Sequence, residues 1–310
     1  MMLFLARRLL AAAVVLWIVM SGVFVLVNVV GDPARAALGE KASAEQLASF
    51  RKKHALDRAI GVRYLAFVEN LATLDLGRSY QDEQPVTELI ARRLPRTLLL
   101  GGMAIGLELL LGLGLGVVAA LRRSSWTDTL VMTSTFVGLS MPSFLLGMWL
   151  LSYFAFRLGW FPIGGYGDAG WDHVWHACLP ALTLALVGAA TYARLMRSEL
   201  IEALHSDYVR TARAKGLPEL RVVLVHAGRN ALLPVITLMG ASLRLTVSGA
   251  VIIETIFGWP GMGRLAVESI AGLDLPVVLG IVFVSCAIVQ MGNIVADLAL
   301  FALDPRLSRR

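Results

Sequence analysis

The sequence predicts an all-α, polytopic membrane protein with about six transmembrane helices. Three observations predict it. Of 310 residues, 57% are hydrophobic and only 16% are charged, against about 25% charged in a soluble domain. The missing charge is concentrated in six blocks, each near the ~20 residues that cross a bilayer core. None of these blocks alternates as barrel strands do, so helix is the backbone that can satisfy its own hydrogen bonds in lipid. The mean hydropathy of +0.71 agrees.

The first block, residues 9–30, is uncharged. Arg7-Arg8 before it and Ala34-Arg35-Ala36 after it imitate a secretory leader, but its 22 apolar residues exceed the ~7–15 of a leader's apolar core. It reads as an uncleaved first span. Residues 97–121 carry only Glu108. Residues 129–156 are uncharged and contain Pro142, and residues 177–193 are uncharged but short. Residues 231–253 contain Arg244, and residues 276–303 contain only Asp297. Between the first two blocks, Ser43 with Gln46 spells a capping box. Ile60, Tyr64, Phe67, Val68, Leu71 and Leu74 fall at helical spacing, an apolar stripe that needs a surface to cover it. The expected division is residues 1–96, a first span plus an extracytoplasmic helical segment, and residues 97–310, a five-helix core with a cytoplasmic loop at 194–230.

Counting Lys and Arg orients the chain. With the N-terminus inside, the inside segments hold fourteen cations, and the two short outside loops hold Arg157 and Arg264. Residues 31–96 carry eleven, but long loops translocate largely regardless of charge. Both termini are therefore expected in the cytoplasm. The net charge of +6 reads as a topology signature, not a nucleic-acid footprint. Cys178 and Cys286 both lie within spans, which supports neither a disulfide framework nor a zinc site.

The informative stretch is 194–229. Asp207 can cap a short helix from Tyr208 to Lys215, with Arg213 and Lys215 in the last turn, where cations suit the helix dipole. Gly216 then takes the left-handed position after the helix, and Pro218 opens a second helix. That second helix would place Leu220, Val223, Leu224 and Ala227 on one face. A solvated basic loop is the plain reading; a docking surface for a cytoplasmic partner is the sharper one.

At these residues a resemblance enters. Tyr208-Val209-Arg210-Thr211-Ala212-Arg213-Ala214-Lys215-Gly216, followed by Leu233-Pro234, resembles the cytoplasmic signature loop of ABC-importer permeases of the dipeptide/oligopeptide/nickel family. The general pattern has Glu-Ala-Ala where this chain has Arg210, Thr211 and Ala212, and Leu-Pro here falls five residues later than in that pattern. Gly31-Asp32-Pro33, Leu56-Asp57, Asp75-Leu76-Gly77 with Ser79, and Leu94-Pro95-Arg96-Thr97 also match family spellings. So do Glu254, Phe257-Gly258-Trp259-Pro260-Gly261-Met262-Gly263 and Asp304-Pro305-Arg306. The resemblance implies the type I importer transmembrane fold in the bacterial cytoplasmic membrane. It also implies a heterodimer with a similar permease, two ATPase subunits that hold ATP and Mg, and an extracytoplasmic solute-binding protein. The ATPase-coupling residues it implies are Tyr208, Arg210, Thr211, Ala212, Ala214, Lys215 and Gly216.

No phosphate-binding Gly-x4-Gly-Lys-Ser/Thr loop occurs, so ATP is expected on partners, with no cofactor on this chain. Gly112, Gly114 and Gly116 read as close helix packing. His173 and His176 sit one turn apart beside Trp171, Asp172 and Trp175; interface anchoring outweighs a metal, which needs three or four ligands. Charges inside spans are pathway candidates by default: Arg244, Glu108, Glu254 and Asp297. Glu254 and Asp297 lie near span ends, where snorkelling or capping explains them equally well. Arg244 is mid-span, and its guanidinium suits a peptide carboxylate; a structural Arg244–Glu108 pair is the competing account. The expected function is an importer permease for peptides. Nickel or a metal chelate is the in-family rival, favoured slightly by Gly164-Gly165-Tyr166-Gly167 and Ser140-Met141-Pro142. A proton-coupled secondary transporter using Glu108, Arg244 and Asp297 is the rival of another class, and a membrane-embedded enzyme lacks a paired polar constellation.

Overall fold

The computed structural model describes residues 2–30, 32–39 and 41–303, and the side chains of residues 2–5, 27–30, 36, 240–249, 296–297 and 299–303 fall outside that description. The described chain is helical apart from turns and one isolated bridge, Arg78 with Pro85. It divides into two compact units: residues 1–97 with 260–290, and residues 98–259 with 291–310.

The first unit opens with α1 (Met2–Val30), then α2 (Pro33–Leu38), α3 (Ala44–Lys53) and α4 (Ile60–Ala72). Asp32 caps α2 through the Ala34 amide, and the Ser43–Gln46 capping box at α3 forms in both directions. The stripe on α4 does find a cover. Tyr64 bonds Ser21 of α1 at 2.7 Å, and Phe24 stacks on Phe67 with centroids 5.1 Å apart. The stripe's two ends, Ile60 and Leu74, remain exposed. The unit also holds the first turns of α5 (Val86–Leu121), α12 (Met262–Ala271) and the start of α13 (Leu275–Leu303). Val86, Ile90, Met262, Leu265, Val277 and Ile281 form its core.

One expected element bound changes here, and one contact is new. The second span begins at Val86, so Pro95 lies inside the helix; its ring costs one backbone bond, and the rest of a 36-residue helix carries it. Asp274, silent in the sequence reading, is 3% exposed. It accepts hydrogen bonds from the Ser79 hydroxyl at 2.5 Å and the Tyr80 amide at 3.0 Å, which ties the loop before α5 to the start of α13.

The second unit contains α6 (Trp126–Ser140), α7 (Ser143–Leu150) with a π-helical continuation over Leu151–Arg157, α8 (Trp171–Leu204), α9 (Asp207–Ala214), the short α10 (Glu219–Arg221) and α11 (Gly228–Ile256). The expected third span is not one rod. It breaks at Met141-Pro142, and its halves meet at 104°. Pro142 disfavours helical geometry in the residue before it, and Met141 is extended, with φ −92° and ψ 122°. Among the described residues, five helices are long and apolar enough to cross a bilayer, or six if the bent pair is one span. The glycine run packs as expected, with one refinement. A Cβ on Gly112 would stand 2.6 Å from that of Tyr192, and one on Gly116 would stand 2.7 Å from the Ala193 carbonyl, both on α8; Gly114 has nothing within 4 Å. Residues four apart share the packed face and the middle one points away.

Candidate coupling site

The stretch expected to dock a partner is built on α8. This helix does not stop at the end of the apolar block but continues to Leu204, so residues 194–204 are helix and not loop. Arg197 near that end grips Asp128 of α6 with two hydrogen bonds, of 2.6 and 2.7 Å. Asp128 is 5% exposed and also accepts from the Ser124 amide. Such a bidentate pair fixes angle as well as distance. Sequence reading missed it, although Ser125 three residues before Asp128 is a cap spelling and indeed accepts from the Asp128 amide.

After a turn at His205-Ser206, α9 runs from Asp207 to Ala214. Ser206, not Asp207, holds the N-cap position; its hydroxyl turns back to the Ala203 carbonyl, and Asp207 lies in the first turn. There its charge still favours the helix N-terminus. Val209 and Ala212 are buried on a cluster that includes Leu200, Val222, Val223, Ala227 and Ala231. Tyr208, Arg210, Thr211, Ala214, Lys215 and Gly216 are exposed. Ala212, grouped in the sequence reading with the coupling residues, therefore anchors the helix from below and offers no surface.

The corner is a complete Schellman motif. Gly216 has φ +76°, its amide donates to the Arg213 carbonyl, and the Leu217 amide donates to that of Ala212. Leu217 packs on the same cluster. Arg213 closes the corner by gripping Glu219 at 2.5 and 3.1 Å. That hydrogen bond raises the pKa of the Arg213 guanidinium above its ordinary value.

The second helix differs from expectation. Pro218 is its N-cap, and after three α-helical residues the chain winds as a π-helix over Val222–Ala227 and continues without a break into α11. It is the cytoplasm-expected end of a span, not a separate surface helix. Val222, Val223 and Ala227 are buried, while Leu220 and Leu224 are 71% and 58% exposed. The reason is the period: i→i+5 winding groups positions 222, 223 and 227, whereas 3.6-residue winding would have chosen 220, 223, 224 and 227.

The pathway candidates fall in different places. Glu108 is 5% exposed in α5, and its carboxylate occupies the space over Gly188 of α8 where any Cβ would collide. Glu254, in the last turn of α11, is fully buried, so snorkelling does not explain it. Arg244 and Asp297 sit in α11 and α13, and their side chains lie outside the described residues. His173 bonds the Tyr166 carbonyl and His176 bonds Asp172; among the described residues no cluster of three metal-ligating side chains occurs. Tyr166 stacks on His173 and edges against Trp259, which is fully buried, and Gly165 donates to the Phe257 carbonyl.

With this geometry in view, comparison with known proteins assigns the class. The model for the inner membrane component of binding-protein-dependent transport systems matches residues 112–309, and that for the N-terminal part of such components matches residues 1–101. The chain belongs to this family: it is the permease subunit of an ABC importer and a multi-pass inner-membrane protein. It is 38% identical over 302 residues, 97% of each chain, to the glutathione transport system permease protein GsiC of Pectobacterium atrosepticum. It is 36% identical over 307 residues, again 97% of each, to the oligopeptide transport system permease protein AppB of Bacillus subtilis. A crystal form of the inward-facing MetNI methionine ABC transporter matches with a TM-score of 0.57 at 18% identity, covering 71% of this chain and 99% of that one. That likeness shows the fold.

Proposed function

We propose that this chain is one of two similar permease halves of a peptide importer, and that α9 with its Gly216 corner is where an ATPase subunit pushes. Two ATPase subunits, which bind ATP and Mg, dock in the cytoplasm; a solute-binding protein delivers from the other side, and this chain binds no cofactor. Both termini lie in the cytoplasm, as the cation count favours. Closure of the ATPases draws the two α9 helices together and opens the bundle outward, and hydrolysis resets it. The observation that carries the reading is the two-sided helix. Val209 and Ala212 seat it on the spans, while Tyr208, Arg210, Thr211, Ala214 and Lys215 are left to a partner. Peptides are the substrate class because the relatives are named for glutathione and oligopeptide transport. Arg244 is the residue proposed to take the peptide carboxylate, with Glu108, Glu254 and Asp297 along the pathway.

Gly216→Val tests the coupling assignment. A β-branched residue in left-handed conformation costs ~1 kcal/mol or more, and open space around Gly216 leaves the backbone as its only burden. The chain should insert at near-normal levels, yet lose ATPase subunits on detergent purification or keep them unresponsive to the binding protein. Normal assembly with normal stimulated hydrolysis would remove α9 from the coupling role.

A further inference from the structure

The first unit holds a cavity of about 260 Å³ that the transport reading does not use. Its floor includes Met20 and Phe24 of α1 and Leu279 of α13, and its polar wall includes His54, Arg63 and Asp75. The floor residues belong to bilayer-crossing helices and the polar ones to the segment between spans, so the cavity lies at the boundary of hydrocarbon and water.

Its polar groups are underused. The Nε2 of His54 is buried with no hydrogen-bond partner among the described residues. The ring is wedged between Phe50 and Tyr80, with centroids 4.4 and 4.7 Å away. Burial, with Lys53 alongside, keeps its pKa below the ordinary histidine value, so the ring is neutral at pH 7 and one nitrogen can donate. The half-buried Arg63 side chain makes no ion pair or hydrogen bond among the described residues. Asp75 uses one oxygen for the Gly77 amide and has the other to spare. Arg63, a donor suited to an oxyanion, and Asp75, an acceptor suited to an ammonium, thus line one small space over an apolar floor, with the neutral His54 ring in its wall.

We propose that this cavity binds the headgroup of an aminophospholipid, with the phosphate on Arg63 and the ammonium on Asp75. The acyl chains lie along α1, where Leu10 and Trp17 are 67% and 56% exposed and fall in line with Phe24 at seven-residue spacing. The cavity then needs to hold only the headgroup, which suits a volume just under the ~300 Å³ where small-molecule pockets begin. A transported peptide is also zwitterionic. Lipid headgroups, however, are concentrated at this boundary far above any delivered solute, and mass action fills the site with what is abundant.

The test uses the assembled importer, purified in detergent, stripped of lipid and titrated with phosphatidylethanolamine, phosphatidylglycerol or phosphatidylcholine, with retained lipid counted by native mass spectrometry. Phosphatidylethanolamine should bind about tenfold more tightly than phosphatidylcholine, whose ammonium has no N–H to donate. Arg63→Gln should weaken phosphatidylethanolamine and phosphatidylglycerol alike, by about tenfold. Asp75→Asn should weaken the first and spare the second. Arg63→Lys, which keeps the charge, should fall between wild type and Arg63→Gln. Equal retention of all three lipids, unchanged binding in Arg63→Gln, or displacement of bound lipid by dialanine would overturn the proposal. Because no ATPase contact is involved, these outcomes are independent of those for Gly216→Val.

Discussion

Gly114 and Gly116 sit two residues apart in α5 and have opposite tolerances, which makes them a residue-scale test of the packing. A Cβ on Gly116 would press on the Ala193 carbonyl and, at 2.8 Å, on the Cβ of Met196. Overpacking of that kind costs ~1–3 kcal/mol, so Gly116→Ala should lower the melting temperature of the detergent-solubilised protein. Gly114→Ala meets open space and should be neutral or stabilising, since alanine is favoured over glycine by up to ~1 kcal/mol within a helix. Equal effects would mean that α5 is rotated from the register described. Arg244 needs a functional assay instead. Arg244→Gln should reduce transport more than it reduces binding-protein-stimulated ATP hydrolysis; suppression of the defect by Glu108→Gln would identify a structural pair and not a substrate contact.

At the scale of elements, α8 is a single lever from Trp171 to Leu204 that carries α9 at its end, and the Asp128–Arg197 pair is the clamp on that lever. Asp128→Ala leaves a largely buried guanidinium without its carboxylate, a change that costs ~3 kcal/mol when a buried pair is broken. It should therefore lower thermal stability clearly, and the reversed pair Asp128→Arg with Arg197→Asp should recover part of the loss. An uncoupled, additive double variant would show that the pair bears no load. These contacts also mark what was legible beforehand. The Gly216 corner, the Ser43 cap and the α4 stripe are local patterns, written within a few residues, and each formed as its spelling indicates. Asp128 with Arg197 and Asp274 with Ser79 join positions 69 and 195 residues apart. No local pattern encodes such pairs, because their energy appears only once the chain has folded. The face of residues 222–227 was misread for a different reason: periodicity arguments assume α-helical winding, and π-helical winding selects other side chains.

For the whole molecule the open quantity is sidedness. In a background without Cys178 and Cys286, Gly216→Cys should react with a membrane-impermeant thiol reagent only from the cytoplasmic side. The outside reporter should be Glu45→Cys on exposed α3; Ser79 of the same segment is 1% exposed and bonded to Asp274, so a cysteine there would stay silent for want of access. The reverse labelling would overturn the cation count. Behind this experiment stands the 104° bend between α6 and α7. Among the described residues five helices are long enough to cross alone, and the bent pair supplies the sixth only if its halves traverse the bilayer together. The break at Met141-Pro142 therefore decides parity. An even number of crossings puts the two ends of the chain on the same side; an odd number would send α9, and every element after the bend, to the opposite face of the membrane from the ATPase it is proposed to meet.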